Sequence, residues 1–171
     1  MKVVTLVENT SGCDYLSSEH GLSVYLEFNG KRILFDMGQS RLFSENARML
    51  GVDLSEVDVA VLSHGHYDHG GGLGEFLKIN NKARVYLSSY AFEEHYNGKE
   101  KYIGLEKALM NSERLCFVDD VMDLFDGVKL YSAKQVPFYH GAGCLSSLFG
   151  KEKRFFCLRI DGKKGRCAFG G

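Results

Sequence analysis

The sequence predicts a mixed α/β (α+β) protein built around β-sheet, and three observations carry that expectation. Runs rich in β-branched and aromatic residues, such as "KVVTLV", "VDVAVLS" and "ARVYLS", recur with polar or glycine-rich breaks between them, as buried strands do. Segments of helical spacing lie between those runs, which indicates helices packed on a sheet. Asn29-Gly30 separates two alternating runs, the signal of a hairpin closed by a type I′ turn. With 171 residues, 44% of them apolar and 25% charged, residues 1–171 suit a single domain with a real core.

The elements follow in order. "KVVTLV" is a buried first strand, bounded by the polar loop "ENTSG". "LSVYLEF" and "KRILFD" form the hairpin across Asn29-Gly30. Ser40 to Leu50 is a helix with Phe43, Ala47 and Leu50 on one face, and Gly51 can end it in the left-handed conformation. "VDVAVLS" is a strand, "GLGEFLKI" a short helix, "ARVYLS" a strand and "SYAFEEHY" a short helix that would leave His95 exposed. Residues 97–114 are polar and carry no clear period. "RLCFV" and "GVKLYSA" are strands, and "RFFCLRI" enters a hairpin at Asp161-Gly162 whose return strand, in "KKGRCAF", barely starts.

Composition removes several classes. A net charge of −1 without a basic stripe or acidic block gives nucleic acid and anionic membranes nothing to hold. No apolar run approaches the ~18 residues of a membrane span. "MKVVTLVENTSG" is too short and too polar for a signal peptide. Cys13, Cys116, Cys144, Cys157 and Cys167 are an odd, scattered set with no CxxC, which fits a cytoplasmic chain with reduced thiols.

The chemistry concentrates in "VLSHGHYDHGGG", residues 61–72, directly after an apolar run. His64, His66, Asp68 and His69 offer imidazole nitrogens and a carboxylate, donors that zinc, manganese and iron accept. His64 and His66, separated by Gly65, can project side by side, whereas Asp68 and His69 point elsewhere. The set therefore suits up to two neighbouring divalent ions, zinc ahead of manganese or iron. Two such ions about 3.5–4 Å apart activate water and polarise an ester, amide or phosphate.

"SHGHYDHGGG" is similar to the HxHxDH signature of the metallo-β-lactamase-fold hydrolases. "ILFDMG" resembles that family's hairpin ending in Asp-x-Gly, and "LGVDLSEVDVAVLSHGHYDH" its helix-to-strand lead-in. "EHGLSVYLEFNGKRILFD" resembles a narrower branch, related to the 7,8-dihydropterin-6-methyl-4-(ribofuranosyl)aminobenzene 5′-phosphate synthase. The likeness is dense from Lys2 to Ser88 and thin beyond Tyr102. It implies an αββα sandwich with metal at one edge, and a metal-bound hydroxide attacking an ester, phosphoester or amide-type bond of a small molecule. By position, His64 and His66 match ligands of a first ion. Asp68 and His69 match ligands of a second, and Asp68 also matches the catalytic residue that orients the attacking water. Asp36 matches a carboxylate that supports the ligand loop from behind. Oxygen-reducing relatives carry Glu at the position of His66, so His66 favours hydrolysis.

The resemblance also implies later ligands: a third histidine in a Cys-Ser-His-like stretch, then a bridging Asp and a final His. After His69 the chain has only His95 and His140. His140, in "PFYHGAGC", is the candidate substitute ligand. "FFCLRIDGKKGRCAFGG" parallels the strands that lead toward the Cys-Ser-His segment, which makes the second half of the fold incomplete and predicts a homo-oligomer that covers the exposed sheet. Two functional readings stay open: a metal-dependent hydrolase, or a non-catalytic metal-binding half-fold that serves as an oligomeric interaction module. Glu19 and His20 match the branch motif and are candidates to face substrate; a capping role is the alternative. Gly70-Gly71-Gly72 either seats a phosphate at the following helix or forms a tight turn. Cys144 is a candidate thiolate or a small buried group. Tyr86, Tyr90, Phe92, Tyr96 and Tyr102 read as core or rim packing.

Overall fold

The computed structural model describes residues 1–132, 156–162 and 165–170. The first sheet is laid down by strands β1 (Lys2–Val7), β2 (Ser23–Phe28), β3 (Lys31–Phe35), β4 (Val59–Val61), β5 (Arg84–Ser88) and β8 (Leu115–Val118), in the spatial order β1-β2-β3-β4-β5-β8. Its first three strands run antiparallel, and β3, β4, β5 and β8 run parallel. Helices α1 (Leu42–Met49), α2 (Tyr67–Gly70) and α3 (Leu73–Ile79) occupy the connections. The second sheet is antiparallel: β9 (Met122–Phe125), β10 (Val128–Ser132), β11 (Phe156–Gly162) and β12 (Gly165–Gly170), in the order β12-β11-β10-β9. A small ribbon pairs β6 (Tyr96–Asn97) with β7 (Lys101–Tyr102).

Alternation along β2 and β3 builds the layers. Tyr25 and Leu34 turn to one face, where they meet Phe43, Ala47, Leu73 and Phe76 of the helices. Val24, Leu26, Phe28, Ile33 and Phe35 turn to the other, where they meet Val128, Leu130 and Ile160 of the second sheet. A strand that is apolar on both faces must be covered on both, so the first sheet lies between helices and a second sheet. This is the expected sandwich through three of its layers; no helix among the described residues follows Asn111. No helix among them is long and apolar enough to cross a membrane.

Most predicted elements fall where expected. The hairpin turns on Asn29 (φ 48°) and Gly30 (φ 73°), with Phe28 paired to Lys31. The helix predicted from Ser40 begins at Leu42 because the Ser40 hydroxyl accepts the Leu42 N–H instead of joining the helix. Two expectations change. The return strand after Asp161-Gly162 is complete, paired to β11 from Cys157↔Gly170 to Gly162↔Gly165. "SYAFEEHY" forms consecutive turns, not a helix, since Ser89 bonds to Asp119 and the Ala91 and Glu93 N–H groups reach back only three residues.

Candidate metal centre

The metal loop leaves the C-terminal end of β4, where a parallel strand presents its following loop at a sheet edge. Three neighbours hold its backbone. Met37 N–H donates to His69 O at 2.7 Å, Tyr67 N–H to Ile103 O at 2.8 Å and Leu22 N–H to Asp68 O at 3.3 Å. The glycine run serves this packing. A Cβ on Gly71 would lie 2.3 Å from Gln39 O, and the N–H groups of Gly71 and Gly72 are spent on Tyr67 O and Gly38 O. Bonded this way, the run forms the tight turn and has no free N–H pair for a phosphate.

Within the loop, His64, Asp68 and His69 converge, each offering one ligand atom within 4.8 Å of the others. This groups His64 with Asp68 and His69, where the spacing had suggested His64 with His66. His66 stands alongside, its ring edge-on to His64 with centroids 4.5 Å apart. Neutral imidazole and carboxylate are donors for zinc, manganese or iron, so the residues present fit a divalent ion.

The orientation of the two histidines comes from behind. Asp36 is fully buried. Its Oδ1 accepts the Ser63 N–H at 2.7 Å. Its Oδ2 accepts the Ser63 hydroxyl and pairs with His69 Nδ1, both at 2.7 Å. The Ser63 oxygen lies 2.9 Å from His64 Nδ1. With its proton committed to Asp36, Ser63 accepts from Nδ1–H of His64. Asp36 thus sets both tautomers, His69 directly and His64 through Ser63, and leaves both Nε2 atoms available to a metal. No spacing in the sequence marks Ser63, whose part shows only where its hydroxyl meets Asp36 and His64.

Charge follows the same geometry. Burial, reinforced by the neighbouring His69, His66 and His95, pushes His64 down to about 2, so it is neutral, the form that binds metal. Burial also opposes charge on His69, but the hydrogen bond and charge of Asp36, with Asp68, outweigh it and raise its pKa. For the metal-free chain the signs oppose. His64 is held neutral in the fold, so its contribution is present above about 6.5 and lost as pH falls. His69 is raised, so its contribution is present below about 6.5 and lost as pH rises through its folded value. Stability of the metal-free chain should therefore peak near pH 6.5 and fall toward pH 5, by up to about 1.4 kcal/mol per pH unit from His64. Urea midpoints at pH 5, 6.5 and 8 in chelator check this, and equal midpoints at pH 5 and 6.5 would contradict it.

The other candidates fall as follows. His95 is buried, 4% exposed, which corrects the expectation of an exposed helical residue. Its ring meets His66 at 5.0 Å between centroids, and its carbonyl accepts the Ile103 N–H. The segment carrying β6 and β7 thereby straps the loop, with a bridge between His66 and Gly104. Glu19 turns inward: its carboxylate accepts the N–H groups of Gln39 and Ser40 and the Ser40 hydroxyl. It holds the turn after Asp36, the capping alternative. His20 Nε2 lies 3.2 Å from Asp68 Oδ2. Phe92 is buried and Tyr96 and Tyr102 are partly exposed and paired edge-on. His140 and Cys144 lie outside the described residues.

Residues 18–149 match the family model of the Metallo-beta-lactamase superfamily. The chain is 40% identical over 108 residues to an uncharacterized protein of Methanocaldococcus jannaschii, covering 61% of this chain and 40% of that protein. It is 40% identical over 90 residues to the 7,8-dihydropterin-6-methyl-4-(beta-D-ribofuranosyl)-aminobenzene-5'-phosphate synthase of the same organism, covering 48% and 30%. A metal-dependent hydrolase of Staphylococcus aureus matches at 36% over 90 residues, covering 47% and 38%. The chain thus spans two fifths or less of the length of these curated relatives. Among solved structures, a metal-dependent hydrolase of the beta-lactamase superfamily superposes with a TM-score of 0.73 at 28% identity, covering 97% of this chain and 63% of the other. A quorum-quenching N-acyl homoserine lactone lactonase superposes at 0.59 with 17% identity, covering 86% and 58%, a likeness of fold alone.

Proposed function

Since this chain belongs to the metallo-beta-lactamase superfamily, we propose that it is a metal-dependent hydrolase of an ester, phosphoester or amide-type bond in a small molecule. The observation that carries this reading is the convergence of His64, Asp68 and His69 in front of a buried carboxylate that fixes two imidazole tautomers. Relatives described as metal-dependent hydrolases support the same class. Zinc is the preferred ion, with manganese and iron as alternatives that the same donors accept.

A divalent ion held there would lower the pKa of a bound water and polarise the bond to be cleaved. The chain supplies the rest. His64 and His69 present Nε2 in fixed directions, and His66 adds a donor beside His64. Asp68 orients the attacking water and accepts its proton. Asp36 stays buried behind the loop with its hydrogen bonds to Ser63 and His69 made, so the ligand geometry is set before substrate arrives.

The purified chain, loaded in turn with zinc, manganese and iron, should carry one or two ions by elemental analysis. It should cleave bis-p-nitrophenyl phosphate or a p-nitrophenyl ester, and chelator should abolish the cleavage. Uptake of metal with no turnover on phosphoester, ester or amide probes would remove the hydrolase reading and leave metal binding alone.

A further inference from the structure

The hydrogen bonds of Asp36 and Ser63 orient His69 and His64, while a different part of the chain closes on His66. His66 is bridged to Gly104 in antiparallel register. Beside that bridge, Tyr67 N–H donates to Ile103 O at 2.8 Å, and Ile103 N–H donates to His95 O at 2.9 Å. Residues 66–67, 103–104 and 95 are thereby stitched side by side in the manner of three short strands. The strap is itself secured. Tyr96 pairs with Tyr102 in the ribbon of β6 and β7, and the Tyr102 hydroxyl donates to Leu105 O at 2.8 Å. The Tyr102 ring occupies the space left by Gly104, where a Cβ would run into it.

This strap carries one ring against the metal loop. His95 is buried, and its ring stands nearly perpendicular to that of His66, at 84° with centroids 5.0 Å apart. His64 meets the same His66 ring at 77° and 4.5 Å. Gly65, between the two loop histidines, makes the approach possible: a Cβ there would run into Ala91 O and lie 2.7 Å from His95 Nε2. His66 itself is only partly buried, on extended backbone (φ −89°, ψ 149°). A side chain so placed chooses among staggered χ1 wells, and the volume that His95 fills is closed to it. The restriction is one of shape, so it holds whichever ring nitrogen carries a proton.

We propose that His95 is a positioning residue for His66: held in place by the strap, its ring limits the His66 imidazole to the orientation beside His64. This rests on the metal-dependent reading above. The loop then has two separate supports. Asp36 with Ser63 serves His64 and His69 from behind, and the strap serves His66 by packing. The segment after Tyr96, which carries no clear period in the sequence, thereby gains a role in the site.

Cobalt(II) titration of the full chain tests the proposal through a double-mutant cycle of His95→Ala and His66→Ala. Affinity is read by chelator competition and geometry by the visible absorption band. His95→Ala should weaken cobalt binding by about 10-fold, the lower end of the effect of losing a residue that orients a ligand, and should alter the band. His66→Ala keeps the three converging donors His64, Asp68 and His69, so its affinity stays measurable. In that background His95→Ala should change affinity by less than about 2-fold, because a residue that acts through His66 has nothing left to act on. Parental affinity and spectrum in His95→Ala, or an equal loss in both backgrounds, would overturn the proposal while leaving the hydrolase reading intact. If His95→Ala does not fold, the same cycle is run with Ile103→Pro, which removes the N–H that fastens His95 to the strap without emptying the core. Parental affinity there, or an equal loss with and without His66, overturns the proposal in the same way. A parent chain that takes up no cobalt, zinc or manganese would overturn the metal-dependent reading, and this proposal with it.

Discussion

Asp36→Ala is expected to cost about 4 kcal/mol or more of folding stability. The Asp36 carboxylate is inaccessible to solvent and engages the Ser63 N–H, the Ser63 hydroxyl and His69 Nδ1, each at 2.7 Å. Hydrogen bonds to a charged group contribute about 1.5–3 kcal/mol each, and donors left buried without an acceptor add their own penalty. The backbone adds to this. Asp36 sits at φ 58°, where Asp and Asn are tolerated and other side chains are strained by about 1–3 kcal/mol. Against a typical stability of about 5–15 kcal/mol, the alanine variant should be barely folded. Asp36→Asn separates stability from chemistry. It keeps the backbone preference and one acceptor for Ser63 N–H, but it cannot serve Ser63 O–H and His69 Nδ1 as the carboxylate does. It should fold and bind metal about 10–100-fold more weakly. Urea unfolding of both variants and a metal titration of the asparagine variant check this. An alanine variant within 1 kcal/mol of the parent would remove Asp36 from its place as the hub of the site.

The sequence made Asp36 visible but not its reach. "LFDMG" matches a family pattern, so its carboxylate could be named from the motif. Its hold on His64 runs through Ser63, and a hydroxyl at the end of a strand has no spacing that marks it. The burial of His95 is hidden from the sequence for a related reason. "FEEHY" is locally charged, and its histidine is buried only because the strap from β6 to β7 folds back beside His66, a contact no local period reports. Glu19 was legible as a motif residue, but its partners, Gln39 and Ser40, lie twenty residues on. β9 is a different kind of miss. Asp126-Gly127 between "MDLF" and "VKLY" is a hairpin signal, and Gly127 does take φ 78°. The charge inside a four-residue strand obscured it. The sheets themselves were legible because β2 and β3 must be apolar on both faces to lie between two layers.

Asp68→Ala is expected to lower turnover by about 10²–10⁴-fold, the range for losing a positioned acid or base, while the fold persists. The structure separates the two effects. The contact that pins Asp68 to the fold is made by its carbonyl, which accepts Leu22 N–H, and alanine keeps it. What alanine removes is the partly buried carboxylate between His20 Nε2 at 3.2 Å and His69 Nε2 at 3.8 Å. If Asp68 only held a metal, saturating zinc or manganese would restore kcat. If it also orients water and takes its proton, kcat stays low at saturating metal while KM changes little, because the lost interaction is made in the transition state. Asp68→Asn should behave like alanine in kcat, since the amide preserves shape without accepting a proton. Full parental kcat in Asp68→Ala at saturating metal would take Asp68 out of the catalytic set. The proton acceptor would then have to be sought among the histidines that surround it.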